Sequence, residues 1–116
     1  MSNLDILLAL GKRRKVHTFT YGDLSLQFRG LSNAERLEWR EFALIDSNIG
    51  KTDAYMIAMA LCNADGSPTY ADEAGRLEAV AAIIDFDPVE VTVPLIKQIE
   101  VASGMGKAAE EAIPKN

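Results

Sequence analysis

Apolar and polar positions fall into different periods along this chain. The run Ala54-Tyr55-Met56-Ile57-Ala58-Met59-Ala60-Leu61-Cys62 contains no charged residue. It is too short to span a bilayer, which needs roughly 20 apolar residues. A helix that is apolar on every side belongs inside a core, so this stretch is expected at the centre of the fold. It stops at Asn63-Ala64-Asp65-Gly66-Ser67-Pro68, a dense turn signal. Over residues 72–84 the period is helical, with Leu77, Val80, Ala81 and Ile84 on one stripe and Glu73, Arg76 and Glu78 mostly off it. A buried helix, a turn and an amphipathic helix make a helical hairpin, the natural base for the remaining apolar faces.

Nearer the N-terminus, Leu4, Leu7 and Leu8 share a face of a short helix that Gly11 can stop. Helices under about 12 residues rarely hold alone in water, so this one must dock on its own molecule or on a neighbour. Lys12-Arg13-Arg14-Lys15 follows, a solvated helix-ending run or a contact for an acidic partner or an acidic patch on another copy. Over residues 16–28 the period becomes two. Val16, Thr18 and Thr20 alternate with His17, Phe19 and Tyr21, and Leu24, Leu26 and Phe28 alternate with Ser25 and Gln27. With a turn at Tyr21-Gly22-Asp23 this is a β-hairpin. A lone hairpin is barely stable, so one face should lie on the helices, leaving an edge where a partner strand can add.

Ser32 and Glu35 have capping-box spacing and open a helix expected to run to about residue 47. On its wheel Leu37 and Leu44 lie together, Trp39 falls on a largely different side, and Phe42 and Ile45 lie between. Thr52 is the expected cap of the central helix, with Asp53 in its first turn. Asp87, Pro88 and Glu90 restart the chain after a break at residues 85–88, and Leu95, Ile96, Ile99 and Ala102 continue one helical face. Pro94 removes an amide and should kink that helix, and Gly104 and Gly106 end it. The pattern as a whole predicts a mostly α (α+β) domain, with four or five helices and one N-terminal β-hairpin. Residues 16–104 form its core and residues 105–116 a flexible tail.

Composition narrows the function. The chain has 116 residues, 48% hydrophobic and 25% charged, which suits one globular domain. Its net charge of −5 and pI near 4.8 argue against nucleic acid as the main partner, because phosphate binding needs a basic surface. No membrane segment and no secretory signal stand out, so a cytoplasmic protein is expected. The single cysteine, Cys62, lies in the apolar run and is expected as a buried thiol.

Candidate chemistry is sparse. His17 is the only histidine, which speaks against a His-based zinc site or a Ser-His-Asp arrangement. Gly104-Met105-Gly106-Lys107 lacks the P-loop spacing and the Ser or Thr after the Lys. No catalytic, cofactor-binding or metal-binding constellation is found, so the chain is expected not to be an enzyme.

The order of features from about residue 19 to 104 resembles the tail assembly chaperones of long-tailed bacteriophages. The likeness rests on the strand pair followed by Leu31-Ser32-Asn33-Ala34-Glu35-Arg36, and on the apolar helix ending in Cys62-Asn63. It continues through Ala64-Asp65-Gly66-Ser67-Pro68-Thr69-Tyr70, the acidic start Asp72-Glu73 with Leu77, and the Pro-interrupted stretch 89–102. Ala71 departs from it, since the family usually has Ser or Thr there to cap the helix. Residues 1–16 match nothing in it. The resemblance implies a chaperone in the host cell cytoplasm, absent from the mature virion. It would bind the tape measure protein, keep it soluble and help tail tube protein polymerise around it. The family typically makes a short and a longer form by a backward ribosomal slip. Met105, Gly106 and Lys107 are the candidate slip point, because their codons permit a slippery heptamer. The chain would then be the short form, with its fold complete before Lys107. Candidate partner contacts are Phe19, Tyr21, Trp39 and Phe42, and self-association is expected through the N-terminal Leu stripe and Trp39. The competing readings are a small helical adaptor or regulator and a minor structural tail or connector protein.

Overall fold

The computed structural model describes residues 1–12, 14–46 and 48–105. They form a small α+β domain of five α-helices and one two-stranded antiparallel sheet. In chain order these are α1 (Asn3–Lys12), β1 (Val16–Tyr21), β2 (Leu24–Arg29), α2 (Asn33–Ile45), α3 (Ile49–Ala60), α4 (Glu73–Ile83) and α5 (Val93–Ala102). A widened π-helical turn, Pro88–Thr92, leads into α5.

α3 is the centre. Every residue from Ala54 to Ala60 is buried, as an apolar helix without a polar face requires. α2, α4 and α5 each pack on α3, and Val80, Ile83, Leu95 and Ile99 close around it. Beyond α3 the chain turns extended at Leu61 and Cys62 and lies beside β2. The Cys62 amide donates to the Gln27 carbonyl at 3.0 Å, and Leu61 bridges Phe28. The central helix therefore runs directly into the sheet edge, which covers backbone groups that an isolated hairpin would leave to water.

The hairpin pairs Val16 with Arg29 at one end and Tyr21 with Leu24 at the other. Gly22 takes φ 61° in the two-residue turn, a region that favours glycine. Ser32 and Glu35 form the complete capping box of α2. Asp72 caps α4 by accepting from the Gly75 amide at 2.8 Å, so the cap stands one place after Ala71.

Several boundaries differ from the sequence expectation, and α3 ends at Ala60 instead of reaching Cys62 because Leu61 and Cys62 pair as extended chain. α2 stops at Ile45, not near residue 47. α3 begins at Ile49 with Asn48 as its cap, so Thr52 and Gly50 lie inside the helix. Thr52 donates its hydroxyl back to the Asn48 carbonyl at 3.0 Å, the usual outlet for a Thr in a helix interior. Pro94 sits at the start of α5, just after the π turn, where Val93 donates to Pro88 across five residues. A proline ring crowds the carbonyl four residues back, and the widened turn is one way a helix admits it.

Candidate interaction surfaces

One end of the hairpin and the π turn enclose an apolar groove of about 410 Å³. It is lined by Phe19, Tyr21, Leu24, Ser25, Leu26, Phe86, Asp87 and Val91. Phe19 forms its buried floor, whereas Tyr21 and Leu24 stand exposed on its lip. The opposite wall is set by Asp87, whose carboxylate accepts from the Val89 and Glu90 amides at 2.9 Å. Asp23, Asp85 and Glu90 are exposed close by in sequence, and among the described residues no Lys or Arg lines the groove.

Trp39 and Phe42 lie elsewhere, at the seam between α2 and α3. The Trp39 indole N–H donates to the Thr52 carbonyl at 3.0 Å. The Phe42 ring stacks on Tyr55 with centroids 4.2 Å apart. Both are partly buried against the core, so the structure joins Phe19 and Tyr21 on one groove and Trp39 and Phe42 on another contact. Two further apolar surfaces face outward. α2 exposes Leu37, Leu44 and Ile45, with Leu44 83% exposed. α1 has no buried residue at all, and its Leu4, Leu7, Leu8 and Leu10 are 57–65% exposed. Met105 packs on the core, whereas Gly106 and Lys107 lie outside the described residues.

The hairpin is fastened to the helices by a charge cluster. Arg29, at the end of β2, is 1% exposed. Its guanidinium donates to both Glu35 oxygens at 3.2–3.3 Å and to the Gly66 carbonyl at 3.0 Å. Arg14 also donates to Glu35 and to the Gly30 carbonyl. Burial would raise the Glu35 carboxyl, but the Ser32 amide and the two arginines outweigh it and hold it below its ordinary value. Sequence patterning missed this cluster, because strand alternation puts Arg29 on the polar side with Ser25 and Gln27.

The remaining titratable groups are scattered. Burial pushes the Cys62 thiol up, away from the reactive thiolate. Burial also raises Asp53, which lines a pocket of about 210 Å³ where, among the described residues, no His, Lys or Arg is part of the lining. His17 stacks on Phe28 at 5.3 Å. Among the described residues, no group of three or more His, Cys, Asp or Glu is placed to hold a metal. No described helix is long and apolar enough to cross a membrane. Comparison with protein families, curated proteins and solved structures finds no match for this chain.

Proposed function

We propose that this chain is a tail assembly chaperone of the long-tailed phage type. It binds the tape measure protein in the host cytoplasm, keeps that long helical chain soluble, and supports tail tube assembly around it. The observation that carries this reading is the outward face of α2, where Leu37, Leu44 and Ile45 stand 58%, 83% and 88% exposed on a domain whose core is already closed around α3. Apolar residues at helical spacing suit the stripe of a second helix. The net charge of −5 keeps a covered complex dispersed. The order of elements, with a capped α2, a buried α3, a Gly-Ser-Pro turn and a Pro-interrupted last helix, also supports the resemblance.

Co-expression with the tape measure protein of the same phage tests the proposal. The expected result is a client that is soluble with this chain and aggregates without it, while purified virions lack the chain. A client whose solubility ignores the chain overturns the reading. Retention in virions moves it to a structural tail component. Leu44→Asp should abolish solubilisation without lowering the melting temperature.

A further inference from the structure

Besides the outward face of α2, both α1 and the groove are apolar features left uncovered among the described residues. A ten-residue helix is marginal in water, yet α1 turns Leu4, Leu7, Leu8 and Leu10 into solvent. The groove likewise leaves Leu24 68% exposed and Val89 beside it 75% exposed. The two carry opposite charge. α1 ends in Lys12, with Lys15 exposed just beyond it, whereas Asp87 lines the groove and Asp23, Asp85 and Glu90, each next in sequence to a lining residue, are exposed.

As α1 is held, it does not cover the groove of its own chain. Arg14, just after α1, is anchored on the Gly30 carbonyl at 3.0 Å, at the Val16–Arg29 end of the hairpin. The groove lies at the Tyr21–Leu24 end. Five residues of strand separate the two ends, about 17 Å.

We propose that α1 of one copy docks in the Phe19–Leu24–Phe86–Val91 groove of a second copy. The leucines of α1 fill the groove, and its basic end meets the acidic rim. This contact does not rest on the functional proposal, since it needs only this chain. Because each copy carries one α1 and one groove, a reciprocal exchange closes a dimer with two identical contacts.

Sedimentation velocity of the full chain over a wide concentration range tests the contact. Two variants are made at exposed positions: Leu7→Glu with Leu8→Glu in α1, and Leu24→Glu in the groove. Circular dichroism melting checks that both stay folded. The wild type should double in mass as concentration rises, with weaker association in high salt. Each variant alone should stay monomeric. An equimolar mixture should recover a heterodimer, because one partner keeps a sound groove and the other a sound α1. A wild type monomeric at every concentration overturns the proposal. So does a groove variant that still associates, which would mean α1 pairs with α1. A mixture that stays monomeric also overturns it.

Discussion

The Arg29 guanidinium meets both carboxylate oxygens of Glu35 at 3.2–3.3 Å, and this pair ties the end of the hairpin to the first turn of α2. Arg29 is nearly without solvent access, so that carboxylate is what compensates its buried charge. Removing one partner of a buried pair costs about 3–5 kcal/mol, because the other charge is left uncompensated. Glu35→Ala should therefore lower the melting temperature sharply. Arg14→Ala should cost far less, because Arg14 is 28% exposed and Glu35 still keeps Arg29 once it is gone. Thermal unfolding of the two variants measures the contrast. Equal losses would show that Arg29 does not rely on Glu35.

Acid should loosen the same joint. The Glu35 carboxyl is held below its ordinary value of 4.5 in the folded chain. A carboxyl depressed by folding contributes stability that is complete above its unfolded pKa. That contribution fades as pH falls through the folded pKa. Melting temperatures of wild type and Glu35→Gln should thus differ most at neutral pH and converge under acid below pH 4.5. A gap that does not change with pH would assign the effect to packing. Asp53 works in the opposite sense, because burial raises it. Asp53→Asn should stabilise at neutral pH and lose that advantage under acid.

Phe42 and Leu44 are two residues apart on α2 and should behave as opposites. Phe42 stacks on Tyr55, a core residue that is 1% exposed. Phe42→Ala should cost about 3 kcal/mol, at the low end for a large core truncation. Leu44 is 83% exposed, and Leu44→Ala should stay within about 0.5 kcal/mol of wild type. Urea unfolding read by Trp39, the single tryptophan, reports directly on this seam.

Local signals in the sequence carried most of the fold. The Ser32–Glu35 box and the Asp87–Pro88 restart each depend on neighbours within one helical turn and have their predicted place, and the apolar run from Ala54 to Cys62 is buried as expected, though helical only to Ala60. The start of α3 was misplaced, with Thr52 expected as its cap, although Asn48 is an equally competent cap one turn earlier. Asn48 prevails, with its own amide already held by the Asp46 carboxylate at 2.9 Å. The groove was half legible. Phe19 and Tyr21 follow from strand alternation, but Phe86 looked like part of a chain break. Only tertiary packing sets it opposite Leu26. The Arg29–Glu35 pair escaped for the same reason, since neither partner is marked by local periodicity.

Gly30 is fixed by a contact from the far end of the chain. A Cβ at this position would stand 2.2 Å from the Ala102 carbonyl oxygen and 2.6 Å from its carbon. Both are backbone atoms at the end of α5, so no side chain can swing away. Beside them the Leu31 amide donates to the Ser103 hydroxyl at 2.8 Å, and the Gly30 carbonyl holds Arg14. The hairpin, α1's anchor and α5 therefore meet at a point that tolerates no methyl group. Overpacking typically costs 1–3 kcal/mol and more against rigid neighbours. Gly30→Ala should cost at least about 3 kcal/mol and raise amide exchange at Leu31 together with the end of α5. Gly22→Ala provides the comparison, because nothing lies within 4 Å of its Cβ position. That variant should lose only about 1 kcal/mol, the strain of a positive φ. If Gly30→Ala melts like Gly22→Ala, the hairpin and α5 do not close as tightly as their backbones indicate.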